Sequence, residues 1–448
     1  MRPVERALPS SSAARAPQAA PAADSARRMA FRWLRWPLSG GAREIQALDG
    51  WRALAALGVL FLHAYLTVPN PPTFHGHALG YIWYYFGAGV HLFFILSGFL
   101  LFQPYARAIL RGEALPSPWR FYKRRALRIL PAYWACLAIL VLVNLTAYLS
   151  LSGLANIATH LVLIHDGFYQ FNRAIEGPFW TLAVEAQFYL LLPLVAAGIA
   201  RVVGRSRSPA RLIAGVVGFI AAAVLLREAD AAGQAILPRT HGIAQAMLSA
   251  ALHVTMGAQG KYLEVFGVGM LASVLYAVTA QARAANSARL RRAGALLFLF
   301  GVALVPVLAR EVVGPGDQTP PFDLVNQPLH PLPVVGPLLL GISFGAMVLG
   351  VLWGPRLLRA PFEWRPLRFV GLISYSLYLW HQPLIFAAAP FTSRLPGTLA
   401  LVAALGVGFG LAIPFAYVSY SLVERPFLQR RDASPRPSAS ARAASLPA

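Results

Sequence analysis

The chain has 448 residues, of which 57% are hydrophobic and 12% charged, with a mean hydropathy of +0.56. Soluble domains carry about 25% charged residues, so this composition excludes a soluble globular protein and predicts an all-α polytopic membrane protein. The net charge of +22 falls in short arginine clusters between apolar segments, a pattern of membrane topology that argues against a nucleic-acid partner.

Residues 1–43 are rich in Ala, Pro, Ser and Arg and hold no continuous apolar core, so they read as a disordered tail, not a signal peptide. Ten apolar segments follow, near 47–67, 81–103, 129–150, 178–200, 211–227, 261–280, 293–309, 334–353, 367–389 and 398–422. The first, ALDGWRALAALGVLFLHAYLT, carries Arg52 and His63. Eleven residues return two helical side chains to nearly one face, about 16 Å apart along the axis. Ionisable groups inside a membrane helix are costly and mark functional sites. The competing reading is an arginine that snorkels to the headgroups and a histidine satisfied by a neighbouring helix.

The second segment, FGAGVHLFFILSGFLLF, puts His91 near the midplane as a candidate cavity-lining group. Its Ser97 and Gly98 read as close helix packing. The run WRFYKRRALRILPAYW, leading into the third segment, sets Arg125 and Arg128 three residues apart and so on one helical face. Paired guanidiniums grip phosphates and aromatics offer a stacking surface, which suits an acyl-CoA; anionic lipid headgroups are the rival ligand. The single cysteine, Cys136, excludes an intramolecular disulfide framework, and no metal site is read. In the fourth segment, GPFWTLAVEAQFYLLLPL, Glu185 lies about two turns in and is expected level with His63, where it would fix the histidine tautomer. A structural hydrogen bond between helices is the alternative. Trp180 and Tyr189 are candidate lining residues of the same cavity. Residues 228–260 read as an idiosyncratic outer loop. The ninth segment, GLISYSLYLWHQPLIF, adds Tyr375, Trp380 and His381 to the candidate lining, and Pro383 frees a backbone carbonyl near them.

Arginines gather before the first segment and after each even-numbered one, whereas the intervening loops hold scattered ones such as Arg173, Arg239 and Arg394. Under the positive-inside rule this gives ten spans with both termini cytoplasmic, hence a multi-pass protein of the cell (inner) membrane. Arg52 then lies near the cytoplasm and His63 in the outer half. Residues 429–448 read as a second disordered tail.

Together these segments resemble the acyltransferase-3 family of integral membrane O-acyltransferases over residues 44–428. The resemblance rests on LDGWRALAALGVLFLH, GVHLFFILSGFLL, RRALRILPAYW, WTLAVEAQFYLLLP, ISYSLYLWHQPL and VERPF, in family order. It implies that acyl-CoA, most often acetyl-CoA, is a co-substrate with no tightly bound cofactor, and that the acyl group reaches a hydroxyl of a carbohydrate or lipid-linked acceptor at the outer half of the membrane. It further implies that Arg52 and His63 are an essential pair, Arg125 and Arg128 a basic donor motif, and Glu185 the fourth-span acid. His91 stands where members often have Asp, and Ala186 where a second Glu is common. The resemblance is to the stand-alone form, without the C-terminal SGNH hydrolase-like domain of some members. A secondary transporter, or an acyl-group carrier that hands its cargo to a partner at the outer face, remains a competing reading.

Overall fold

The computed structural model describes residues 45–69, 73–74, 77–78, 86–257, 260–313 and 335–432; the predicted tail 1–43 and the residues beyond 432 lie outside that range. The fold is all-α, apart from a two-residue antiparallel ladder of Thr73–Phe74 with His77–Ala78. Its helices are α1 (Ala47–Leu66), α2 (Gly89–Arg111), α3 (Pro118–Val143), α4 (Leu151–Leu161), α5 (Phe179–Val203), α6 (Pro209–Ile236) and α7 (Gly242–Thr255). They are followed by α8 (Leu263–Val278), α9 (Ala288–Val313), α10 (Val335–Trp353), α11 (Arg365–Leu372) and α12 (Ser374–Thr392). The last run, α13, continues from Gly397–Val407 through two π-turns to Arg425–Asp432. Nine of the ten predicted segments each fall on one helix, the ninth, 367–389, is divided between α11 and α12 at Ile373, and seven described helices are long and apolar enough to cross a membrane.

Three boundaries depart from expectation. The third span begins at Pro118, so the cationic run is the first three turns of α3; Pro at the first helical position is pre-organised for a start, and Arg and Lys are good helix formers. The predicted loop at 228–260 is largely helical: α6 runs on to Ile236, where Arg227 pairs with buried Glu264 at 2.6 Å, and α7 follows. At the C-terminus the helix extends to Asp432, past the expected boundary at 428.

Small residues set the central packing. A side chain on Gly98 of α2 would meet the Phe266 carbonyl of α8, and one on Gly269 would meet the Ile95 carbonyl, so the two helices lie backbone to backbone. Gly371 of α11 faces the Asp49 carbonyl of α1 in the same way. The basic turns gather at one end of the bundle: Arg207 abuts Gly112, Arg283 lies in electrostatic range of Arg107 and Arg359, and Arg368 pairs with Asp49 at 3.5 Å. The opposite end is built from α4, residues 162–178 and α7.

Candidate active site

Near the arginine-rich end, α1, α2, α3, α5 and α12 enclose a narrow cavity of about 90 Å³. Arg52 enters from α1, Arg125 and Arg128 from α3, Glu185 and Tyr189 from α5, and Tyr375 and Tyr378 from α12. These three guanidiniums and one carboxylate are the charged side chains in its lining. The lining therefore has an excess of cation, and a guanidinium's planar fork matches a pair of carboxylate or phosphate oxygens. Glu185 accepts a hydrogen bond from Ser97 of α2 and interacts with the Tyr189 hydroxyl one turn on. Tyr375 donates to the Ile129 carbonyl at 2.8 Å, which ties α12 to the base of α3.

His63 belongs to a different cluster. Its Nδ1 lies 3.0 Å from the Val59 carbonyl and 2.9 Å from Nε2 of His381 on α12. His381 is fully buried, and its own Nδ1 faces the Leu377 and Tyr378 carbonyls at 3.1 and 2.8 Å. Carbonyl oxygens only accept, so in the neutral ring Nδ1 of His381 carries the proton and Nε2 holds a lone pair. His63 must then donate from Nδ1, which leaves its Nε2 unprotonated. The pairing therefore selects the tautomer of His63 that can take a proton.

The expected pairing of Glu185 with His63 is not found. The reason is the level along α1: Glu185 lines the same cavity as Arg52, with its hydrogen bond from Ser97, whereas His63 lies about 16 Å farther along α1 and meets α12. Glu185 thus groups with Arg52, Arg125 and Arg128. The group beside Nδ1 of His63 is the His381 ring, not the Glu185 carboxylate. The other candidate lining residues divide likewise. Tyr189 and Tyr375 line the arginine cavity, while His91 and Trp180 pack on the Tyr262 ring at 5.3 and 5.8 Å. Trp380 donates to Ser419 at 3.1 Å and so ties α12 to α13.

Tyr378 joins the two clusters. It lines the arginine cavity, and its ring centroid is 5.7 Å from that of His381. Its hydroxyl is 2.7 Å from Thr181 and 3.2 Å from the Pro178 carbonyl, which anchors the start of α5. Neither Tyr378 nor Thr181 stands out in the sequence. Glu424, within the VERPF run, is buried and accepts from Ser376, and it lies in electrostatic range of Arg128. A lone acid in a closing apolar segment was the available signal for it.

Residues 162–178 carry further buried polar groups. Asp166 pairs with Lys261 at 2.5 Å and accepts from Gln187 at 2.7 Å. The His160 and His165 rings stack with centroids 3.8 Å apart. Burial pulls His165 down to about 3 and pushes Glu176 up to about 8. Arg173, which the sequence offers as one scattered cation, lies in electrostatic range of His63, Tyr378, Tyr169 and Tyr262.

The described helices thus hold a basic cavity and, reached from it through Tyr378, a histidine pair in which Nε2 of His63 is left unprotonated. The sequence matches the acyltransferase-3 family, described as an acyltransferase domain, over residues 45–420, and the chain belongs to that family. Among curated proteins it is similar to YrhL of Bacillus subtilis strain 168, with 26% identity over 364 residues, 78% of this chain and 50% of that protein. The peptidoglycan O-acetyltransferase OatA of Listeria monocytogenes is 22% identical over 367 residues, again 78% of this chain and 50% of that one. The O-acetyltransferase OatA of Staphylococcus aureus is 27% identical over 164 residues, 34% of this chain and 25% of its own. The chain spans half the length of the first two relatives. No solved structure matches it.

Proposed function

We propose that this protein is a membrane O-acyltransferase that moves an acetyl group from acetyl-CoA at the arginine-rich, cytoplasmic end to a hydroxyl of a carbohydrate acceptor at the opposite face of the cell membrane. The observation that carries this reading is the His63–His381 pair, set one helix-length of about 16 Å beyond Arg52 on α1. Arg52, Arg125 and Arg128 hold the phosphates of the donor, Glu185 orients those guanidiniums, and the pantetheine arm runs past Tyr378. The names of YrhL and of the Listeria OatA, which specify peptidoglycan, support a glycan acceptor.

In the reaction, Nε2 of His63 takes the proton of the acceptor hydroxyl as its oxygen attacks the thioester carbonyl. The tetrahedral intermediate collapses with cleavage of the carbon–sulfur bond, and the CoA thiolate recovers the proton from His63. His381 accepts from Nδ1 throughout, which steadies the transient imidazolium. A positioned base contributes about 10² to 10⁴ in rate, and orientation in the cavity supplies more.

The test is His63→Ala in purified full-length protein. Acetyl transfer to a glycan is expected to vanish while membrane insertion and acetyl-CoA binding persist; an active variant would sink the scheme. Intact mass after exposure to acetyl-CoA alone is expected to show no acetyl-enzyme, because transfer is direct.

A further inference from the structure

At the end of the bundle away from the arginines there is a second and larger cavity, of about 650 Å³. That is within the range of about 300–1,000 Å³ typical of small-ligand sites. Its floor is the Asp166–Lys261 pair with Gln187, and its mouth carries Tyr169, which is 79% exposed. Ser249 and His253 of α7 form the far wall. Gly257, at φ +69, closes over the ion pair; a side chain there would meet Asp166 Oδ2 at 2.9 Å and Lys261 Nζ at 3.1 Å.

From this chemistry we infer that the cavity is an acceptor subsite that binds one neutral sugar unit of an extended glycan. The ammonium of Lys261 is matched by the carboxylate of Asp166, so the floor offers hydrogen bonds without net charge. A phosphate or anionic lipid headgroup needs surplus cation, which is what the arginine cavity has and this one lacks. A polyol needs donors and acceptors, here the Gln187 amide, which the Asp166 carboxylate holds in place, and the Ser249 hydroxyl, beside an aromatic face such as that of Tyr169.

The cavity is tied to the reacting pair. Tyr169 lies in electrostatic range of Arg173, which also faces Tyr378 and His63. Gln187 is two residues beyond Glu185 on α5, so about 200° of helical turn puts the carboxylate in one cavity and the amide in the other. A sugar held here leaves the adjoining unit of the glycan to run along Tyr169 and Arg173 toward His63.

This inference rests on the carbohydrate acceptor proposed above, and direct binding separates the two. The full chain in lipid nanodiscs is titrated with a β-1,4-linked N-acetylglucosamine tetramer and, separately, with acetyl-CoA. Ala246→Trp fills the cavity from an exposed position on α7, and Tyr169→Ala removes the mouth aromatic without touching the core. Both variants are expected to weaken the tetramer at least tenfold and to leave acetyl-CoA affinity within twofold. The inference is overturned if the wild-type protein does not bind the tetramer, or if both variants bind it as the wild type does. Binding that follows this pattern without acetylation of the tetramer would leave the subsite standing and remove the acyl-transfer reading. Acetylation with a KM for the tetramer unmoved by either variant would do the reverse.

Discussion

Arg52 and His63 are legible in the sequence because a bilayer penalises both, and their spacing is a property of one helix. The partner of His63 is not legible: His381 is 318 residues away and meets it through the contact of α1 with α12. If His381 selects the tautomer, His381→Leu lowers kcat by roughly 10² to 10⁴ and leaves the KM for acetyl-CoA unchanged. His381→Gln keeps an acceptor and should restore part of kcat; in steady-state kinetics, equal loss in both variants would point to packing alone. A second single-residue effect concerns pH. Burial raises Glu176 to about 8 from an ordinary value of 4.5, so the folded protein binds the proton more tightly than the unfolded chain. That contribution to stability is full below about pH 4.5 and is lost as pH rises through 8. The wild-type Tm should therefore fall over this window more than that of Glu176→Gln, measured by intrinsic fluorescence in detergent.

Periodicity and length were enough to place ten helical segments, since a membrane-spanning helix must be long, apolar and internally hydrogen-bonded. What the helices do to one another depends on particular residues. Pro383 has no N–H, and the Leu379 carbonyl one turn earlier in α12 receives the Cys136 thiol of α3 at 3.6 Å. Gly98 and Gly269 let α2 and α8 approach through their backbones. Gly98→Ala puts a methyl against the Phe266 carbonyl, and overpacking of that kind costs about 1–3 kcal/mol. The expected result is a lower Tm and an enlarged aggregate fraction in fluorescence-detected size exclusion, with Gly198→Ala, where a side chain meets open space, as the silent comparison. Ser97, beside Gly98, reads as packing in the sequence but carries the hydrogen bond to Glu185, because α2 is the helix that α1 and α5 share.

The bundle has two unlike ends: a narrow cationic cavity near the clustered arginines, and a wide, charge-balanced one near Asp166 and Lys261. The positive-inside rule assigns the first end to the cytoplasm. Single cysteines introduced into a Cys136→Ser background test this directly. Ser206→Cys should react with an impermeant maleimide only after the membrane is opened, and Ala246→Cys in intact cells; the opposite pattern would invert the proposed path of the acyl group. The sequence by itself determined the class, the helical segments, the shared helical face of Arg125 and Arg128 and the spacing of Arg52 and His63, because hydropathy, charge and helical phase act within one segment or its nearest neighbours. Only the tertiary structure decided that Glu185 lines the arginine cavity, that His381 meets His63, and that Asp166 meets Lys261 across 95 residues. Those partnerships depend on which helices touch and how each is rotated, and in an apolar medium many helix orders bury the same surface equally well.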